Sequence, residues 1–127
     1  MILVDSNIII DYWRQPNNKI RNIFLENDVY ICGIIKSELL HGSKDVNQYH
    51  KIKEAISDFP IIDLYPLFWD ELGYNLFTLK KSGLTVPIQD AMIATLAINF
   101  DLKLWTNDKH FFHIKRILPK LQIFESI

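Results

Sequence analysis

A parallel α/β sheet covered on both faces by helices is the fold class this sequence predicts. Three short runs are apolar almost throughout: Ile2-Leu3-Val4, Val29-Tyr30-Ile31-Cys32 and Leu102-Lys103-Leu104-Trp105. Runs of that kind suit strands buried on both faces. The segments between them carry apolar residues at three- and four-residue spacing, so helices separate the strands, and neighbouring strands then pair in parallel through crossovers. A length of 127 residues suits one compact domain with one core, spanning residues 1–127.

Ile2-Leu3-Val4 is the first strand. Ser6 and Asn7 can cap a helix running to about Trp13, which Pro16 closes off. A second helix from about Asn18 to Glu26 presents Ile20, Ile23 and Phe24 on one face. Val29 to Cys32 forms the second strand; Gly33 breaks it, and Ile35 to His41 turns helical before Gly42. Asn47 to Asp58 reads as a more polar helix with Ile52, Ala55, Ile56 and Phe59 facing inward. After Pro60, Ile61-Ile62 is a short strand. Pro66 opens a long helix to about Lys81 whose buried stripe is Phe68, Leu72, Leu76 and Leu79. Pro87 starts the next helix, and Ala91 to Ile98 is apolar nearly all round, which places that helix centrally. Leu102 to Trp105 and Gln122 to Phe124 complete the strands.

Composition narrows the function classes. The chain is 49% hydrophobic and 23% charged, as in an ordinary globular protein. The apolar N-terminus reaches Asp5 after four residues, too soon for a signal peptide or a membrane span, and a cytoplasmic location is expected. A single cysteine, Cys32, excludes an internal disulfide and a Cys-based zinc cluster. The net charge of −1 announces no nucleic-acid binder. Setting four acids aside as one neutralised site changes the balance: 11 acidic residues then face 14 basic ones, a mildly basic exterior that permits RNA binding.

Those four acids are Asp5, Glu38, Asp90 and Asp108. Asp5 directly follows the first strand, Glu38 lies six residues past the second, and Asp108 lies three past the Leu104-Trp105 strand. Asp90 falls in the first turn after Pro87, where a helix N-terminus favours negative charge. Parallel α/β sheets bind ligands beyond the carboxyl ends of their strands, so all four point to one end of one sheet. Two carboxylates about 5 Å apart repel by about 3 kcal/mol at an effective dielectric near 20. Such a cluster takes up protons or holds a cation. With oxygen donors only, and with His41, His50, His110 and His113 read as surface or packing residues, the site suits Mg²⁺ or Mn²⁺ rather than zinc. An ion of that kind activates water and stabilises phosphoryl oxygens during phosphodiester hydrolysis.

Four segments occur in an order and spacing that resemble PIN-domain ribonucleases, above all the VapC-type toxins of toxin–antitoxin pairs. They are Val4-Asp5-Ser6-Asn7-Ile8-Ile9-Ile10-Asp11, Ser37-Glu38-Leu39-Leu40-His41-Gly42, Gln89-Asp90-Ala91-Met92-Ile93-Ala94 and Thr106-Asn107-Asp108-Lys109-His110-Phe111. The resemblance implies a three-layer α/β/α PIN-like domain with a central parallel sheet of four to five strands. It also implies a Mg²⁺- or Mn²⁺-dependent endoribonuclease, often acting on transfer RNA, a homodimer, and silencing by a cognate VapB-type antitoxin. On this basis Asp5, Glu38, Asp90 and Asp108 match the family's acidic quartet, as catalytic and metal-holding residues. Ser6 matches a hydroxyl residue that supports the metal site, Asn7 one that orients the first Asp, and Thr106 the Thr before the last acid. His110 stands where many relatives carry a further acid, which makes that edge of the site less negative.

Lys109, Lys115 and Arg116 follow the last acid closely and are candidates to touch RNA phosphates; a solvated basic face is the plainer reading. Asp11 reads as a structural hydrogen-bonding or surface residue, and Asp108 could equally serve an Asx turn. Two other functions fit the sequence less well. A receiver-like phosphoacceptor would need Asp63 as acceptor and a Lys after a later strand, and no Lys is suitably placed after strand four or five. A catalytically silent PIN-like module that only binds partners would leave a complete acidic quartet without use.

Overall fold

The computed structural model describes residues 1–125. Within them a five-stranded sheet has the order β3-β2-β1-β4-β5, from β1 (Ile2–Val4), β2 (Val29–Cys32), β3 (Ile61–Ile62), β4 (Lys103–Trp105) and β5 (Gln122–Ile123). Every pairing is parallel. The helices are α1 (Ser6–Arg14), α2 (Asn18–Glu26), α3 (Gly33–His41), α4 (Val46–Ile56), α5 (Phe68–Lys81), α6 (Ile88–Asn99) and α7 (His110–Ile117). The architecture is three-layer α/β/α. No helix of the described residues is long and apolar enough to cross a membrane.

β1 is central: each of its residues is apolar and buried, which is true of no other strand among the described residues. Ile2 and Leu3 pair with Val29 and Tyr30 on one side, and Ile2, Leu3 and Val4 with Lys103, Leu104 and Trp105 on the other. From β1 the chain builds outward through β2 and β3, then returns to add β4 and β5 on the opposite flank. The strand order therefore reverses between β1 and β4. A crevice opens at that reversal, because the connections leaving the two strands diverge to opposite sides. Asp5 follows β1 and Thr106 follows β4, so both enter this crevice directly.

α6 fixes the third approach to it. Ala91, Ile93, Ala94, Thr95, Leu96 and Ala97 are all buried, and the helix packs against α5, α7, α3 and β4. The small alanines let those neighbours come close. The one polar residue in this run, Thr95, donates its hydroxyl to the Ala91 carbonyl (2.7 Å) and accepts from Asn75 Nδ2 (3.0 Å), which removes the penalty of burying it. Phe68, Leu72 and Leu79 of α5 and Phe111 and Ile114 of α7 fill the surrounding core. Each fully buried side chain of this size contributes about 1.5–3 kcal/mol relative to exposure.

Several local expectations shift. Asp5, not Ser6 or Asn7, caps α1: its carboxylate accepts the Ser6 N–H. Gly33 opens α3 rather than only ending β2, because Cys32 is still extended and α3 follows without a linker. Ala55 is exposed, not inward, because it lines an open groove beside α1 and α2. Pro66 lies in the turn before α5, which begins at Phe68.

Candidate functional site

Asp5 is the fixed point of the crevice. Its backbone N–H donates to the Trp105 carbonyl (2.9 Å), which continues the β1–β4 pairing one residue beyond the strands. Its side chain is 5% exposed, so its oxygens need partners. Oδ1 accepts from the Ser6 N–H (2.8 Å), and Oδ2 accepts from the Thr106 hydroxyl (2.7 Å) and from Asn7 Nδ2 (3.2 Å). A carboxylate offers about four acceptor positions, so three donors leave capacity for one more positive partner.

Thr106 links this group to the next strand's loop. Its hydroxyl donates to Asp5, while its oxygen accepts from the Asp108 N–H (3.0 Å) and from Asn7 Nδ2 (3.3 Å). Asn7 completes the frame through its Oδ1, which accepts the Asn107 N–H (3.2 Å). Asn107 Nδ2 in turn donates to Asp11 Oδ2 (3.1 Å), so Asp11 ties α1 to the loop after β4. Asn7 thus contacts Asp5 through its side chain. Ser6 meets it through the backbone N–H.

The remaining acids arrive from other elements. Asp90 is the third residue of α6, with its side chain 18% exposed. Asp108 lies in the loop before α7, with its side chain 34% exposed, and its Oδ1 accepts the His110 N–H (2.9 Å). That bond is an Asx turn, so the structural role foreseen for Asp108 is real and coexists with its position in the crevice. Glu38 stands on the exposed rim, on α3.

Electrostatics shows that these groups converge. Burial raises the Asp5 carboxyl above its ordinary range; the Thr106 and Ser6 donors oppose that, and the charge of Asp108 adds to it. Glu38 is raised by partial burial and then by the charges of Asp5 and Asp90. Asp90 is raised by burial and then by Asp108 and Asp5, with His110 acting the other way. Asp5, Glu38 and Asp90 each feel the charge of a neighbouring acid, a repulsion that a bound cation relieves.

His110 is a surface residue, as its sequence context suggests, but the structure also brings its ring to the edge of the crevice. Its Nδ1 lies 3.5 Å from Asp108 Oδ1 and 3.8 Å from Asp90 Oδ2. Ligand atoms from Asp90, Asp108 and His110 all lie within 4.8 Å of one another. The two-residue step from Asp108 to His110 was a local signal; the approach of Asp90 was not visible, because α6 and α7 meet only in the folded chain.

The basic candidates divide. Lys109 and Arg116 are exposed. Lys115 donates to the Leu121 carbonyl (2.6 Å) and is half-buried, so it braces the turn before β5. Five helical residues also carry it about 7.5 Å along the axis from His110. Asp63 follows the edge strand β3 and is exposed, two strands from Asp5, which removes the support for a phosphoacceptor site after a central strand.

A family model described as PIN domain matches residues 2–117. No curated protein matches the chain. Among solved structures, the chain is similar to VapBC2 from Rickettsia felis bound to a DNA fragment from their promoter, at 27% identity and a TM-score of 0.83, covering 98% of each chain. It is similar to DNA-bound VapBC from Salmonella typhimurium at 25% identity and a TM-score of 0.84, covering 99% of this chain and 98% of that one. It shares the fold of VapBC-1 from nontypeable Haemophilus influenzae at 22% identity and a TM-score of 0.82, covering 99% and 98%.

Proposed function

The chain belongs to the PIN-domain family, and on that premise we propose that it is a Mg²⁺- or Mn²⁺-dependent endoribonuclease, the toxin of a VapBC-type toxin–antitoxin pair. The observation that carries this reading is the mutual repulsion of Asp5, Glu38, Asp90 and Asp108 around the β1–β4 crevice, with Asp5 already locked by three donors. The donor set is mainly carboxylate oxygen, which fits a hard divalent cation. Asp5, Asp90 and Glu38 would hold it, with Asp108 at the edge. A cation bound there supplies positive charge for the phosphodiester oxygens and lowers the pKa of a coordinated water.

The chain's own groups do the positioning. Thr106 and Asn7 keep Asp5 in one orientation and leave one of its acceptor positions for a cation. Glu38, open to solvent on α3 and facing the charges of Asp5 and Asp90, completes the carboxylate set from the third side. Lys109 and Arg116 would meet RNA phosphates on the exposed side.

Two further surfaces support the partner assignments. A groove of about 550 Å³ is lined by Tyr12, Trp13, Phe24 and Phe59 among others, and it suits an apolar antitoxin segment. Trp69, Tyr74 and Phe77 are exposed on α5, a surface that a second copy could cover in a homodimer.

The test is cleavage of RNA by purified protein with Mn²⁺ or Mg²⁺. Asp5→Asn or Asp90→Asn is expected to abolish it while the fold persists by circular dichroism. Equal cleavage after either change would overturn the assignment. Wild-type protein that binds no Mn²⁺ in calorimetry would instead favour a silent partner-binding module.

A further inference from the structure

We propose that His110 is itself a metal ligand, and that its ring nitrogen makes the site select a transition-series divalent cation, Mn²⁺ before Mg²⁺. The proposal rests on the nuclease-site reading above and narrows it from two cations to one.

The geometry comes from three atoms on two separate pieces of chain, the first turn of α6 and the turn that leads into α7. His110 Nδ1, Asp108 Oδ1 and Asp90 Oδ2 face one another, with the nitrogen 3.5 and 3.8 Å from the two oxygens. Both separations exceed the roughly 2.7–3.2 Å of an N–H···O hydrogen bond, so the imidazole is not satisfied by either carboxylate directly. Both are within the roughly 4.2 Å that one ion with bonds of about 2.1 Å can span between two of its ligands.

The backbone turns the ring toward this position. The His110 N–H donates to Asp108 Oδ1 (2.9 Å), the same oxygen its ring nitrogen approaches, so the turn that starts α7 folds the side chain back over the acid. Packing does not explain the placement. The His110 side chain is 62% exposed, and the buried residues of α7 are Phe111 and Ile114.

A nitrogen donor changes which cation fits. Mg²⁺ is hard, takes oxygen ligands and keeps much of its water, whereas imidazole suits transition ions. An acid at position 110 would add one more oxygen and leave the site open to Mg²⁺. A histidine gives up that charge and adds affinity only for ions that accept nitrogen. The competing role for His110 is a counter-charge, a protonated imidazole that eases the repulsion of Asp90 and Asp108 without touching metal.

Calorimetry of the metal-free protein with MnCl₂ and with MgCl₂, in wild type and His110→Asp, separates these roles. The wild-type preference for Mn²⁺ is expected to shrink by about tenfold or more in His110→Asp, the range a ligand-shell change typically moves affinity. Pulsed electron paramagnetic resonance of the Mn²⁺-loaded wild type is expected to show coupling to a directly bound ¹⁴N, lost in His110→Asp. Absence of that coupling in wild type, or an unchanged Mn²⁺-to-Mg²⁺ ratio, would overturn the proposal. Asp90→Asn separates the two readings. If it loses Mn²⁺ while the wild type lacks nitrogen coupling, only the role of His110 falls; if it binds Mn²⁺ as wild type does, the nuclease site falls too.

Discussion

Asp5 and Asp108 stand just past the ends of adjacent strands, yet the fold treats them differently. Asp5 is buried, caps α1 and receives three donors, with its backbone fixed to β4. Asp108 is partly exposed, and among the described residues its side chain accepts only the N–H of His110. One half of the crevice is therefore built as a rigid anchor, and the other as an adjustable edge. The contrast follows from the strands. β1 continues straight into a helix whose first turn supplies donors, whereas β4 runs into a loop before α7 begins. A site made this way can hold a cation firmly on one side and adapt its coordination on the other.

The sharpest way to break the comparison is to neutralise the two acids in turn. Asp5→Asn is expected to lower RNA cleavage by at least about a hundredfold, the low end of what loss of one positioned polar group costs an active site. It also sets an amide N–H against existing donors, whichever way the group is turned. Asp108→Asn keeps the acceptor for the His110 N–H and is expected to cost about tenfold or less. Steady-state rates at saturating Mn²⁺ check both. Equal losses would mean that the adjustable edge is as essential as the anchor.

Thr106→Val tests the join between the halves. The change keeps the shape but removes the donor to Asp5 and the acceptor for the Asp108 N–H, in a residue only 8% exposed. Unpaired buried groups of this kind cost about 1–3 kcal/mol, so urea unfolding should show a drop of that size. Loss of a group that orients a ligand typically weakens metal about 10–100-fold, and Mn²⁺ calorimetry reads that directly. A variant with normal stability and weakened metal would place the role of Thr106 in the site alone.

The pH response separates the protein from its cation. Asp5, Glu38 and Asp90 are all raised, each by burial first. A carboxyl that binds its proton more tightly when folded loses stabilising effect as pH climbs from the unfolded value near 4 through the raised folded one. The melting temperature of the metal-free protein is expected to fall across that window. Added Mn²⁺ should restore it, with a larger increment at higher pH, where more of the site is ionised. Asp90→Asn should flatten the metal-free profile and remove most of the Mn²⁺ increment. Thermal melts at several pH values, with and without Mn²⁺, decide the matter.

The sequence made the anchor legible and the edge only partly so. The strand cores of β1, β2 and β4 announce themselves as near-continuous apolar runs, and the acid after each is then a local observation. The order β3-β2-β1-β4-β5 is not local, because nothing in a strand's own residues says which neighbour it takes. The approach of His110 to Asp90 had the same obstacle: 20 residues separate them, and only the packing of α6 on α7 brings them together. Lys115 and Arg116 look equivalent as neighbours in the chain, yet the return of the chain toward β5 gives Lys115 a carbonyl to brace and leaves Arg116 exposed. Ala55 fits an inward pattern by its spacing, but the face it occupies meets a groove rather than core.

The smallest expected effect is the most selective. Asn107→Ala removes the side-chain bond to Asp11 but keeps the Asn107 N–H bond to Asn7, so the loop stays attached at one point instead of two. The lost bond is exposed, and a hydrogen bond of that kind contributes about 0.5–1.5 kcal/mol. Nothing that holds Asp5 is touched. If the crevice really has an anchored half and an adjustable half, the amide signals of Asp108 and His110 should broaden or shift in this variant while that of Ser6 stays in place. Affinity for Mn²⁺ should then change by no more than about threefold, because a loss of 0.5 kcal/mol or so is spread over a loop that already adapts. A shift at Ser6 of the same size would mean that the two halves move as one body, and the distinction between Asp5 and Asp108 would be one of exposure alone.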